Sequence, residues 1–87
     1  MEATNQKTSR ADYAQKVWNQ IFDGYLVVIG GNPNYTPALF YAKGTTLFSW
    51  NCELGEMQRD DMSREDFCNH INNMLSKGFE ITAVKIR

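Results

Sequence analysis

The sequence predicts a single α+β domain with the element order α-β-β-β-α-β and a four-stranded, mainly antiparallel sheet. Two longer segments carry apolar side chains at helical spacing, and four shorter segments are rich in β-branched and aromatic residues. Two of the predicted strands are separated by a tight turn, the connection typical of antiparallel neighbours. Two helices are enough to cover one face of such a sheet, so we expect both helices on the same face.

The first helix is indicated by its two ends. Ser9 and Asp12 fit a capping box, which predicts a helix over residues 10–23. Gly24 follows, and glycine is favoured in the left-handed conformation just beyond a helix end. The apolar stripe of this helix consists of Ala14, Val17, Trp18, Ile21 and Phe22.

Residues 25–29 are short, β-branched and apolar on both faces, which predicts a central strand. Residues 30–37 are dense in turn-forming residues and predict a loop. The glycines that open this loop are followed by Asn-Pro and not by a helix, so the pattern does not indicate a phosphate-binding loop.

A hairpin is expected next, with strands over residues 38–42 and 45–53 around a turn at positions 43–44. With that turn, Leu39 faces Phe48, and the faces of the hairpin follow from the alternation of side chains. One face then carries Leu39, Tyr41, Phe48 and Trp50, and the other carries Ala38, Phe40, Ala42 and Leu47.

The second half of the chain begins with an acidic connector over residues 54–62. Ser63 and Asp66 form another capping-box pattern, and Gly78 is placed to end the helix that follows. The apolar stripe of this second helix consists of Phe67, Ile71, Met74 and Leu75. Residues 79–86 then predict the last strand.

The two helix–strand units resemble each other at a constant offset of 54 positions, as in Ser9 with Ser63 and Gly24 with Gly78. Most matched positions are helix caps, apolar stripe residues or helix stops. The match is explained either by a duplication or by two capped helices that meet the same packing requirement.

The chain has 87 residues, which suits one domain, and we expect a flexible tail over residues 1–8 before a domain over residues 9–87. The first residues lack the apolar run of a signal peptide, and we expect no contact with a membrane. Two cysteines without a pairing pattern, Cys52 and Cys68, are typical of reduced thiols, so we expect a cytoplasmic protein.

The formal net charge is −1, which speaks against a nucleic-acid partner, since such proteins usually carry a basic excess. An aromatic strand surface can stack nucleobases, but near the hairpin only Lys43 supplies a positive charge. Aromatic residues make up 13% of the chain, and rings at this density favour some exposure at a protein-binding surface.

Few residues in the sequence indicate catalysis or metal binding. His70 is the only histidine; Asp66 lies one helical turn before it, and Cys68 lies on a different side of the helix. No C-x-x-C or H-x-x-x-H spacing occurs. We therefore predict no enzyme activity, no catalytic residues, no metal site and no cofactor.

The segment Lys77-Gly78-Phe79-Glu80-Ile81 resembles the helix–glycine–aromatic–glutamate–strand ending of several small bacterial and phage proteins. This resemblance covers about ten residues and implies a helix stop, with no activity attached.

The functional hypothesis is a small protein-binding module, such as a phage or mobile-element inhibitor or regulator of a host protein. Both faces of the predicted sheet are apolar and the helices cover only one, so the other face is available to a partner. The expected partner-binding residues are Tyr35, Tyr41, Phe48 and Trp50 for apolar contact, and Glu56, Asp60 and Asp61 for charge. Two alternatives remain: a homo-oligomeric domain, such as a homodimer, and a metabolite- or nucleotide-binding pocket between the sheet and the loop over residues 30–37.

Overall fold

The computed structural model describes residues 2–86, with side chains described from residue 12 onward. It confirms the α+β class, with two helices and five strands in this part of the chain. The helices are α1 (Glu2–Phe22) and α2 (Arg64–Ser76), and the strands are β1 (Tyr25–Gly30), β2 (Ala38–Lys43), β3 (Thr46–Asn51), β4 (Gly55–Gln58) and β5 (Glu80–Lys85). Neither α1 nor α2 combines the length and the apolar character that crossing a bilayer requires.

The strands form one sheet in the order β4-β3-β2-β1-β5, and all neighbouring pairs are antiparallel. The prediction of four strands is wrong by one, because β4 lies inside residues 54–62, where we expected only an acidic connector. β4 is four residues long and mostly exposed at the edge of the sheet, where short, polar strands are common. β1 pairs with β2 on one side and β5 on the other, so it is an interior strand, as its apolar sequence predicts.

The hairpin between β2 and β3 turns one position later than predicted. Its loop residues are Gly44 and Thr45, and Gly44 has a φ of +64°, which glycine adopts without strain. Leu39 therefore pairs with Trp50, where we had expected Phe48. The shift changes each pairing by two positions, and side chains alternate with a period of two, so the residues predicted to share a face still share it.

The helices cover one face of the sheet, and the core lies between the helices and this face. The buried strand residues on this face are Val27, Ile29, Phe40, Ala42 and Leu47. Phe67 of α2 is fully buried, and its ring centroid lies 5.4 Å from that of Trp18 on α1 and 5.2 Å from that of Phe40 on β2. This cluster of rings joins both helices to the sheet.

The two helices confirm the sequence prediction to different degrees. In α2, Ser63 Oγ accepts a hydrogen bond from Asp66 N at 3.1 Å, and an Asp66 carboxylate oxygen accepts one from Ser63 N at 3.3 Å, so the capping box is confirmed. α1 begins at Glu2 and not at residue 10, so the predicted start at Ser9 is wrong. The Ser9 side chain lies outside the described side chains, and the flexibility of residues 1–8 stays a prediction.

Removal of the Phe67 ring should destabilise the domain strongly. We expect Phe67→Ala to lower the free energy of unfolding by about 3–5 kcal/mol, because removal of the ring leaves a cavity between the two helices and the sheet. Urea unfolding followed by circular dichroism measures this change. Leu54→Ala is the control, because Leu54 is 66% exposed in the β3–β4 turn and its loss should leave stability nearly unchanged. Equal stability losses in the two variants would contradict the proposed core.

Candidate functional site

The first candidate site is the sheet face that the helices do not cover, which we call the open face. Its apolar and aromatic members are Leu26, Val28, Leu39, Tyr41, Phe48, Trp50 and Val84, from β1, β2, β3 and β5. Trp50 is 39% exposed and Val84 is 48% exposed, and the other members are half-buried against their neighbours on the same face. The open face thus presents a continuous apolar surface across four strands.

Two aromatic rings stand at the centre of the β2–β3 part of this surface. Tyr41 and Phe48 are direct cross-strand partners, and their rings stack with centroids 6.0 Å apart and planes at 7°. The Lys43 ammonium lies 4.8 Å from the centroid of the Phe48 ring, in a cation–π arrangement. These contacts within the domain fix the orientation of both rings.

Glu56 on β4 connects the edge strand to these rings. Its carboxylate accepts a hydrogen bond from the Tyr41 hydroxyl, and Lys43 Nζ donates to its other oxygen at 3.2 Å. The hydrogen bond from Tyr41, followed by that from Lys43, lowers the pKa of Glu56. Burial, together with the hydrogen bond and the charge of Glu56, raises the pKa of Tyr41 to about 12. Tyr41 is therefore a neutral donor, and the charge of Glu56 is balanced by Lys43.

The other two predicted acids lie in the turn after β4. Asp61 pairs with Arg59, whose Nε lies 3.2 Å from its Oδ1, and this hydrogen bond is the main reason that the pKa of Asp61 is lowered. Asp60 accepts a hydrogen bond from Gln58 Nε2 at 2.7 Å. Two of the three predicted acids, Glu56 and Asp61, are therefore neutralised by a neighbouring cation, and the predicted acidic patch is weaker than its formal charge indicates.

Tyr35, the remaining predicted contact, lies away from the open face. It is 62% exposed in the β1–β2 loop, and its ring centroid lies 5.4 Å from that of Phe79. The structure thus brings Tyr41, Phe48, Trp50 and Glu56 together and leaves Tyr35, Asp60 and Asp61 outside this group.

Tyr35 lines the second candidate site, a cavity of about 380 Å³ that we call the loop pocket. It lies between the β1–β2 loop and the C-terminal half of α2, near the position that the small-ligand alternative predicts. His70, Met74 and Lys77 line it from α2 and its C-cap, at the spacing of one helix face. A larger hollow of about 780 Å³ is lined by residues of α1 and by Asp23, which directly follows α1, so it has a single wall.

The β1–β2 loop is anchored where it borders the pocket. Asn32 Nδ2 donates to the Lys77 carbonyl at 3.3 Å, which ties the loop to the end of α2. Asn32 Oδ1 also accepts from Asn34 N at 3.1 Å, and its carbonyl accepts from Tyr35 N at 3.1 Å. The loop wall of the pocket is therefore held in place by its own Asn32 turn.

His70 is half-buried in this pocket, with its ring centroid 5.9 Å from that of Phe40. Burial lowers the pKa of His70, and the nearby charges of Arg59 and Lys77 lower it further. The imidazole is therefore neutral at pH 7. Asp66, the acid one turn away, is engaged in the capping box, so the structure forms no His–Asp dyad from this pair.

The cysteines do not add a nucleophile to the site. Both Cys52 and Cys68 are free thiols, Cys52 exposed in the β3–β4 turn and Cys68 partly buried on α2. Burial raises the pKa of Cys68, against a smaller opposing effect of Arg64, and this disfavours the reactive thiolate. Among the described residues, no group of three or more His, Cys, Asp and Glu side chains is arranged to hold a metal ion.

The contacts of Lys43 with Phe48 and Glu56 and the α2 wall of the loop pocket were not predicted from the sequence. Lys43 was assigned to a turn, although the observed register places it at the end of β2, opposite Thr46. The i, i+4, i+7 spacing of His70, Met74 and Lys77 was present in the sequence, but nothing in it showed that a distant loop would face these residues. No protein-family model, curated protein or solved structure matches this chain.

Loss of the Glu56 carboxylate should lower the pKa of Tyr41. In Glu56→Gln we expect the Tyr41 phenol to titrate below its wild-type pKa of about 12, and still above an ordinary tyrosine because burial remains. Ultraviolet absorption during an alkaline titration, compared with a Tyr41→Phe variant to assign the signal, measures this change. Glu53→Gln removes an acid that no tyrosine hydroxyl contacts and is the matched control; an unchanged Tyr41 pKa in Glu56→Gln would contradict the bond.

Protonation of His70 should destabilise the fold. Its pKa is lower in the folded domain than in the unfolded chain, so the unfolded chain binds the proton more readily below pH of about 6.5. The free energy of unfolding should be maximal above this pH and decrease as the pH falls through the lowered pKa. Urea unfolding at several pH values between about 5 and 7 measures this. His70→Asn should flatten the dependence, since His70 is the only histidine; the same slope in both proteins would refute this origin.

Proposed function

We propose that this domain binds another protein and that the open face is the binding surface. The observation that carries the proposal is an apolar sheet face whose largest ring, Trp50, is 39% exposed beside the stacked rings of Tyr41 and Phe48. Contiguous exposed apolar surface of this kind is characteristic of interaction sites.

The rings of the open face suit the centre of an interface. Tryptophan and tyrosine supply large contact areas, and each has few side-chain torsions to order upon binding. The stacking of Tyr41 on Phe48 and the bond from Tyr41 to Glu56 already fix part of this geometry. Less conformational entropy is then lost when a partner docks.

The charges of the open face indicate an apolar partner surface with little net charge. Lys43 and Glu56 neutralise each other through a contact of 3.2 Å, so neither sign dominates next to the rings. The partner that we propose is a host protein, and the domain would then act as a phage or mobile-element inhibitor or regulator of that protein. The same balance of charge also permits a second copy of this chain, because two such faces would not repel each other.

A partner should be lost when Trp50 is made small and polar. Trp50→Ser should weaken binding by at least tenfold, since a tryptophan that is a hot spot of an interface contributes about 2 kcal/mol or more. The measurement is capture from nuclease-treated host lysate, with quantitative mass spectrometry of the bound proteins. Leu54→Ser is the control, because it replaces an equally apolar, more exposed residue in the β3–β4 turn.

Circular dichroism must show that both variants remain folded, and light scattering must give the molar mass of the wild type. A dimer that Trp50→Ser dissociates would identify a second copy as the partner. Partner binding that persists in Trp50→Ser would overturn the assignment of the open face. A strict monomer that captures nothing would overturn the proposed function itself.

A further inference from the structure

The loop pocket lies on the helix side of the sheet and is separate from the open face. Its sheet residues Ile29 and Ala38 are a cross-strand pair on the face that carries the core. Its volume of about 380 Å³ lies within the range of small-molecule sites. A ligand could therefore occupy it without contact with Trp50 or the stacked rings.

The apolar part of the pocket suits an aromatic body. Ile29, Met74 and Phe79 contribute from β1, from α2 and from the segment before β5. The ring of Tyr35 packs at a tilt on that of Phe79, which leaves both rings at the pocket wall. Aromatic groups pack well against such rings and against the polarisable sulfur of methionine.

The polar part of the pocket has unused hydrogen-bonding and charge capacity. Within the part of the chain that the structure describes, the His70 imidazole makes no hydrogen bond, and Lys77 and Glu53 make no ion pair. Lys43, Arg59 and Lys85, in contrast, each have an acidic partner. The pocket therefore holds a half-buried donor and a cation that a ligand could satisfy.

The electrostatics beside His70 favour an anion. Burial keeps the His70 ring neutral, so it retains one N–H to donate, and the positive charge of Lys77, which has no ion pair among the described residues, acts on the same ring. A carboxylate accepts such a bond and pairs with a lysine ammonium, and both are charge-assisted contacts. Phosphate groups would gain less, because the pocket offers Lys77 alone as a lining cation and Glu53 opposes a second negative charge.

We propose that the loop pocket binds a small aromatic carboxylate, with its carboxylate at Lys77 and His70 and its ring on Ile29, Met74 and Phe79. Glu53 enters from the β3–β4 turn, a different element from Lys77. Its carboxylate makes no ion pair among the described residues and could accept an ammonium group, so Glu53 distinguishes an α-amino acid with an aromatic side chain from a simple aromatic acid. The anchored Asn32 turn fixes the loop wall of this cavity to the end of α2.

The probes for this site are 3-phenylpropionate, its uncharged amide and L-phenylalanine, titrated into the domain to about 10 mM and followed by nuclear magnetic resonance. We expect 3-phenylpropionate or L-phenylalanine to shift the signals of His70, Met74 and Phe79, and the amide to bind at least about tenfold more weakly. Lys77→Gln should weaken binding of the acid to a similar degree. Lys16→Gln is the matched control, because Lys16 is an exposed lysine of α1 outside the pocket.

Stronger binding of L-phenylalanine, with a preference that Glu53→Gln abolishes, would identify an α-amino acid as the ligand. Stronger binding of 3-phenylpropionate would identify a simple aromatic acid. Equal affinity for acid and amide, unchanged affinity in Lys77→Gln, or no shift of pocket signals with any probe would each overturn the proposal. Trp50→Ser should bind these probes as the wild type does, so failure of this site and failure of the open face are distinguishable.

Discussion

The contact of Phe67 with Trp18 and Phe40 determines much of what the rest of the molecule can do. These three rings join α2, α1 and β2 at one point, so both helices must lie on the same side of the sheet. The alternation of side chains along the strands then divides the apolar residues between two faces. One set forms the core beneath the helices. Over residues 2–86, neither helix covers the other set, and the open face follows from this arrangement.

The sequence could predict the parts of the fold that depend on patterns of neighbouring residues. The capping box at Ser63 and Asp66 and the stop at Gly78 depend on residues a few positions apart, and both are confirmed. β4 could not be predicted in this way, because Gly-Glu-Met-Gln has no apolar alternation and pairs only at an edge. Because β4 was not predicted, the position of Glu56 opposite Trp50 was not predicted either. The loop pocket required the packing of a loop on a distant helix, and local patterns carry no such information.

The internal repeat has a structural counterpart. β1 and β5 are the strands of the two matched units, and Val28 pairs with Thr82, its equivalent at the offset of 54 positions. The pairing is therefore symmetric about this point. Val27 pairs with Ala83, and their equivalents at the same offset, Ile81 and Ile29, pair with each other. The helices of the two units differ in length, with 21 residues in α1 and 13 in α2, so the symmetry is confined to the paired strands and the glycines that precede them. This symmetric pairing is one packing requirement that both strand sequences meet.

The two candidate sites are held in a fixed relation by the β3–β4 turn. Asn51 Oδ1 accepts hydrogen bonds from Glu53 N at 3.0 Å and from Leu54 N at 2.7 Å, which closes the turn on the end of β3. Glu53 lines the loop pocket, whereas Trp50 and Glu56, on either side of the turn, belong to the open-face group. A short, internally bonded turn leaves little freedom between them. The two surfaces are thus chemically separate, and one rigid segment contributes a side chain to each.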